Sequence, residues 1–170
     1  SGVPDSLGNL GKAYIVIWTT TPWTLPANLA ICLHPEFQYL AVAIGEEVLV
    51  VAEDRLSSLV LEWDIKDYKI RGDRKGRDWE NSVCQHPFID RESKVILGEH
   101  VTLEQGTGCV HTAPGHGQDD YIVGLKYDLE PYNPVDDGGI FVSDVEHFAG
   151  MFVRKANPEI IEKMKKDGSL

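Results

Sequence analysis

Apolar positions fall in two rhythms along this chain. Short runs of β-branched and aromatic residues predict strands, and separate stretches repeat apolar residues at the 3.6-residue spacing of a helix. "YIVIWTT", Tyr14–Thr20, predicts a buried strand. Pro22 and Pro26 turn the next stretch into a loop, because proline has no N–H to give a ladder. "FQYLAVAI" and "EVLVVA" flank "GEE" and predict a hairpin. Further strands are expected at Tyr68–Ile70, Lys94–Leu97, Gly108–Thr112 and Ile140–Val142, with "GDRKGRDW" as a polar turn whose basic residues are solvated. Asp54 is placed to cap a helix running to Trp63, with Leu56, Leu59 and Val60 on one face. A second helix is expected from Gln118 to Tyr127, carrying Ile122, Leu125 and Leu129. A third starts at Asn157 as N-cap with Pro158 next, and carries Ile160, Ile161 and Met164. Many short strands with few helices favour a mainly β fold with a closed, barrel-like core and flanking helices over a doubly wound sheet.

Length and charge narrow the class. The 170 residues suit a single domain, 1–170, and a hydrophobic share of 42% with 25% charged residues is ordinary for a globular protein. No apolar run approaches the roughly 20 residues that span a bilayer. A start at "SGVPDSLG", without methionine, and an end at "KKDGSL" read as cuts from something larger. Cys32, Cys84 and Cys109 are odd in number and form no C-x-x-C, which fits small buried hydrophobes in a reducing, cytoplasmic setting. The net charge of −11 argues against a domain that holds nucleic acid by itself, since phosphate neutralisation supplies most of such affinity.

Two polar concentrations carry the candidate chemistry. In "WTTTPWTLPAN", Trp18–Asn28, a threonine triplet offers short uncharged hydroxyls and backbone N–H groups at the end of an apolar run. In "GTGCVHTAPGHGQDDY", Gly106–Tyr121, a strand with His111 and Thr112 breaks at Ala113-Pro114, and a Gly-His-Gly turn leads into a helix that opens with Asp119 and Asp120. Gly115 and Gly117 are expected to give the backbone positive φ and close approach to a ligand. Plainer roles stay open: aspartates in a first turn cap a helix, a half-buried histidine satisfies a core, and threonines close turns. His116 reads as exposed in its turn or as support. Cys109, His111, His116, Asp119 and Asp120 match none of the usual zinc spacings, so no metal is assigned. There is no G-x-S-x-G elbow, no Walker A sequence and no dinucleotide fingerprint.

Together, "TTTPWTLPAN" and "GTGCVHTAPGHGQDDY" resemble the two motifs of the editing domain inserted in class I isoleucyl-tRNA synthetases of bacterial type. The valyl and leucyl enzymes carry related insertions, but their threonine peptide typically continues Arg-Pro, so Thr21-Pro22-Trp23 and "PAN" point to the isoleucyl branch. The family's synthetic-site signatures H-I-G-H and K-M-S-K-S are absent, and "KMKK" at 163–166 is a decoy on an amphipathic helix.

The resemblance implies the barrel-like editing fold and hydrolysis of valine misattached to isoleucine tRNA, with valyl-adenylate as a further substrate. One methylene is worth only about 1–3 kcal/mol in a binding pocket, a limit for which the isoleucyl enzymes are the standing example, so a second, smaller sieve is needed. On this resemblance Thr20, Asp120 and His111 are the catalytic candidates. Thr19, Thr21, Trp23, Thr24 and Asn28, with His111 and Asp120, would bind substrate. Asp120 would take the α-ammonium, His111 would crowd the side-chain pocket, Trp23 would wall the site and Asn28 would shape it. Editing itself would need no cofactor; ATP, and zinc where present, would belong to other domains of the parent enzyme. The partners implied are the 3′ end of isoleucine tRNA, valyl-adenylate and the remaining synthetase domains, with no membrane. The reading from another class is a non-catalytic module that binds an RNA 3′ end or a nucleotide.

Overall fold

The computed structural model describes residues 12–170, so the "SGVPDSLG" end lies outside the described residues. Contacts divide the described residues into two compact units: one from residues 12–19, Ala30–Cys84 and Lys94–His111, the other from Thr20–Leu29, Gln85–Ser93 and Thr112–Leu170.

The first unit is built on β pairing. Strands β1 (Ala13–Ile15), β2 (Ala30–Leu33), β3 (Gln38–Ile44), β4 (Glu47–Ala52), β5 (Lys69–Lys75), β6 (Val83–Gln85), β7 (Glu92–Leu97) and β8 (Cys109–Thr112) form two four-stranded sheets, ordered β1-β4-β3-β5 and β6-β7-β2-β8. Both are marked by a parallel pair: β1 runs with β4 in register Ala13↔Val48, and β2 runs with β7 in register Ala30↔Lys94. The predicted hairpin forms as β3 and β4 with Ile44 opposite Glu47, so the loop is Gly45-Glu46 alone. Gly45 has φ +59° at the first loop position, as a type II′ turn requires.

Strand alternation builds the core. Ile31, Leu33, Tyr39, Val50, Ala52, Trp79, Val95 and Cys109 form one buried cluster drawn from both sheets. Leu40, Val42 and Val51 point the other way and meet Leu56 and Leu59 of helix α1 (Glu53–Glu62). Both faces of β3 and β4 are therefore covered, which is why their sequences read as nearly continuous apolar runs. Tyr39 is fully buried, donates its hydroxyl to the Gly108 carbonyl at 2.8 Å and accepts the His34 N–H at 2.9 Å. Gly108, at φ +77°, cannot be replaced without strain, because a Cβ there would stand 2.5 Å from that of Ala52.

Several sequence expectations are corrected by the fold. The strand from Tyr14 stops at Ile15, although the Val16 N–H still reaches the Val50 carbonyl at 3.2 Å. Ala52, not Asp54, is the N-cap of α1; Asp54 lies in its first turn beside Glu53, where a carboxylate complements the helix dipole. The "GDRK" half of the expected polar turn continues β5, because β3 offers it a partner from Gln38↔Lys75 to Ala43↔Lys69. Lys75 and Arg77 from that stretch pair with Glu36 on the surface.

The second unit is helical and irregular. Helix α2 (Gln118–Lys126) buries Val123 and Gly124, and the expected face of Ile122 and Leu125 lies outward. Gly124 packs so closely on Pro114 that a Cβ would approach the ring to 2.9 Å, and this contact fixes the inward side. Ile140–Val142 makes isolated bridges, Val135↔Phe141 and Ile140↔Phe152, in place of a strand. Phe88, Phe141 and Phe148 pack around them. Helix α3 (Val153–Asp167) starts a turn earlier than expected, because Val153 and Ala156 join Ile160 and Met164 in the buried stripe. Asn157 and Pro158 therefore lie inside the helix, and Phe152 rather than Asn157 stands at its N-cap. "KMKK" does fall on this helix, which Gly168 ends in the left-handed conformation.

Candidate functional site

Six of the predicted site residues, Thr20, Thr21, Trp23, Thr24, Asn28 and Asp120, fall in the second unit; Thr19 and His111 belong to the first. Thr20 is exposed at a bend. The loop expected after it is a short 3-10 helix, Pro22–Ala27, with Pro22 in the first turn, where its fixed φ suits helix initiation. The Thr21 carbonyl accepts both the N–H of Thr24 at 3.1 Å and its hydroxyl at 2.9 Å. Thr24 thus serves the turn with its side chain as well as its backbone.

The far end of this helix is held by side chains that the sequence did not single out. His86 Nδ1 accepts from the N–H groups of Phe88 and Ile89, at 3.3 and 3.2 Å, so its Nε2 is the donor to the Leu25 carbonyl at 2.9 Å. Burial pushes the His86 pKa down, which keeps the ring in this neutral form. Arg91 Nη1 donates to the carbonyls of Pro26 at 2.9 Å and Asn28 at 3.2 Å. Ser93 donates to Asn28 Oδ1 at 2.6 Å, and both residues are buried. At the other end, the Trp23 N–H donates to Asn157 Oδ1 at 2.9 Å. Ser93 had one readable signal: it shares the alternation of Val95 along β7, at a buried position. Arg91 and Asn157 had none, because their partners are 63 to 134 residues away in sequence.

The second motif is bonded to the residue that follows the first. The Leu29 N–H donates to the Thr112 carbonyl at 3.0 Å. One residue on, the Ala113 N–H donates to Asp120 Oδ2 at 2.8 Å, so the carboxylate folds back from the first turn of α2 over the Gly-His-Gly turn. Gly115 and Gly117 do not take positive φ, contrary to expectation. Their role is space: a Cβ on Gly115 would meet the Tyr132 carbonyl oxygen at 2.3 Å, and one on Gly117 would meet the Asp120 carboxyl carbon at 2.9 Å. His116 is half-buried and meets Trp23 edge-on, with ring centroids 5.0 Å apart. Burial lowers its pKa as well. His111 is buried on β8, two residues after Cys109 on the same side of the strand.

Chemically, the candidates of the second unit offer hydroxyls, backbone dipoles and one carboxylate. Burial pushes the Cys84 and Cys109 thiols up, away from thiolate chemistry. Among the described residues, no group of three or more His, Cys, Asp or Glu side chains is placed to hold a metal ion, and no helix is long and apolar enough to cross a membrane.

Comparison with known proteins agrees with the resemblance to isoleucyl-tRNA synthetases. The isoleucine–tRNA ligase of Natranaerobius thermophilus is 52% identical over 171 residues, covering 99% of this chain, and that of Syntrophotalea carbinolica is 51% identical with the same coverage. The chain is a homologue of isoleucyl-tRNA synthetases. It spans about 18% of the length of these relatives. No family model matches. Among solved structures, GlLeuRS-CP1 superposes with a TM-score of 0.75 at 17% identity, covering 92% of this chain and 82% of that one. The P. knowlesi cytosolic leucyl-tRNA synthetase editing domain gives 0.72 at 14% identity, covering 97% and 85%. The isoleucyl-type chain therefore has mixed sheets and helices in the fold of those leucyl-type domains.

Proposed function

We propose that residues 1–170 act as one editing domain within a longer isoleucyl-type synthetase. It hydrolyses valine esterified to isoleucine tRNA, takes valyl-adenylate as a further substrate, and excludes isoleucine by size. The strands are the closed barrel of that fold. The observation that carries this reading is that Leu29, the residue after the first motif, bonds the Thr112 carbonyl of the second, whose own turn is closed by the Ala113 N–H on the Asp120 carboxylate, in a chain half identical to isoleucine–tRNA ligases.

An aminoacyl ester is already activated, so hydrolysis needs a held substrate, a positioned water and donors for the developing oxyanion more than a strong nucleophile. Thr20, exposed ahead of the 3-10 helix, positions the water and the ester. Thr19 and Thr21 supply hydroxyl and main-chain donors to the terminal adenosine, and Trp23 walls it. Thr24 and Asn28 keep that peptide in shape through the Thr21 carbonyl and Ser93. Asp120 receives the α-ammonium through a charge-assisted bond. A carboxylate offers about four lone-pair sites, so holding Ala113 and accepting from an ammonium are compatible. His111 crowds the amino acid side chain and so rejects the extra methylene of isoleucine. Editing uses no metal or cofactor. The acidic domain takes only the 3′ end of the tRNA, other synthetase domains hold its body, and the enzyme works in the cytoplasm.

The test is a titration with a non-hydrolysable 3′-valylamino-adenosine analogue beside its isoleucyl counterpart, followed by residue-resolved NMR. Selective response to the valyl compound at Thr19–Thr24, His111 and Asp120 is expected. Equal response to both, with no hydrolysis of valyl esters, would replace editing with plain 3′-end binding.

A further inference from the structure

We propose that Arg91 and Asn157 are positioning residues for the threonine peptide, setting Thr20 and Thr21 through the backbone of the helix between them. The proposal rests on the editing reading for its catalytic consequence, though not for its geometry.

A 3-10 helix of six residues has few internal bonds with which to hold itself, and its end groups need partners from elsewhere. Here both ends are met by long-range side chains. Asn157 accepts the Trp23 N–H at 2.9 Å, at the opening of the helix. It does so from inside α3, which packs directly on Pro22–Ala27 and whose buried Ala156 and Ile160 flank it in sequence. Arg91 closes the other end by dividing Nη1 between Pro26 and Asn28, where a cation also complements the carbonyl end of a helix. Its guanidinium lies over the Tyr132 ring, 4.8 Å from the centroid. The Tyr132 carbonyl in turn is the atom that leaves no room for a Cβ on Gly115. One arginine therefore registers the threonine peptide against the turn that precedes Asp120. Neither residue is one of the motif positions, and neither carries a hydroxyl or carboxylate of its own for the chemistry.

The experiment is steady-state hydrolysis of a small valyl-adenosine ester by the chain carrying Asn157→Leu, Asn157→Asp or Arg91→Met, with backbone amide spectra of each. A misplacement near 1 Å costs up to about 100-fold in rate. Asn157→Leu and Arg91→Met are expected to lower kcat by about 10-fold or more with KM within about twofold, and to move the amide resonances of Thr20–Thr24. Asn157→Asp keeps the acceptor and should restore kcat. A role confined to folding would instead lower the thermal midpoint while kcat per folded molecule stayed at the wild-type value. That result, or amide shifts that leave Thr20–Thr24 unmoved, overturns the proposal. A wild-type chain that fails to hydrolyse the ester overturns the editing reading alone, and the amide shifts still decide the positioning.

Discussion

Asp120 is where a scaffold role and a catalytic role can be separated by a single atom. Its Oδ2 accepts the N–H of Ala113, a residue only 1% exposed, at 2.8 Å. In Asp120→Ala that N–H loses its acceptor, at about 1–3 kcal/mol for a buried unsatisfied donor. Loss of a carboxylate from the first turn of α2 adds about 0.3–1 kcal/mol. For a chain of this size each kcal/mol moves the melting temperature by about 2–4 °C, so Asp120→Ala should lower Tm by about 5–10 °C. Asp120→Asn keeps a carbonyl for Ala113 and loses only the charge, and its Tm should fall by about half as much or less. Hydrolysis should separate the two effects. A hydrogen bond to a charged group is worth about 1.5–3 kcal/mol, so removing the partner of the α-ammonium should lower kcat/KM on a valyl ester by about 10- to 150-fold in both variants. The assay is ester hydrolysis paired with thermal melts. An Asp120→Asn variant that hydrolyses within about twofold of wild type would refute the ammonium role and leave Asp120 as a brace for Ala113.

The same geometry sets further outcomes. Ser93→Ala removes the donor from buried Asn28 Oδ1, with an expected cost of about 1–3 kcal/mol, read as a lower urea midpoint at unchanged m. His86 and His116 both have folded pKa values depressed below 6.5, so the unfolded chain binds more protons as the pH falls through that value. The contribution of these two rings should therefore be full above about pH 7.5 and be lost as the pH is lowered past 6.5, as melts between those values will read; a His86 ring that titrates at or above 6.5 by NMR contradicts this. His111→Ala should admit isoleucyl esters to hydrolysis, and continued exclusion of isoleucine would remove His111 from the sieve.

Much of the strand framework was legible because those strands declare themselves locally, but β2 and β6, each only three or four residues long, were not expected. The β3–β4 hairpin, β7 and β8 are readable from alternation and β-branched content within one window. Misread elements depended on partners outside the window. "GDRK" has no apolar signal, yet it is a strand because the backbone of β3 needs an edge and supplies register for it. Helix α2 turned its apolar residues outward because the close contact of Gly124 with Pro114 fixed which side faces in. "NPE" looked like a helix start, but burial of Val153 and Ala156 extended α3 backward and released the Asn157 side chain for Trp23.

Residue type alone revealed the site motifs but not the division of labour within them. Thr24 and Asn28 carry side chains a substrate could use, and the structure shows each bonding to the protein's own peptide, Thr24 to the Thr21 carbonyl and Asn28 to Ser93. Asp120 bonds Ala113 and stands in the first turn of a helix that also depends on a missing Cβ at Gly117. If the domain edits as proposed, this internal bonding would itself serve catalysis, because donors already fixed in the resting protein need no reorganisation as charge develops. On that reading the conspicuous threonines would have two roles: Thr20 facing the substrate, and Thr24 holding the peptide through the Thr21 carbonyl. Substitutions at His86, Arg91, Ser93 and Asn157, far from the motifs in sequence, should accordingly affect turnover more than surface changes nearer to Thr20 do.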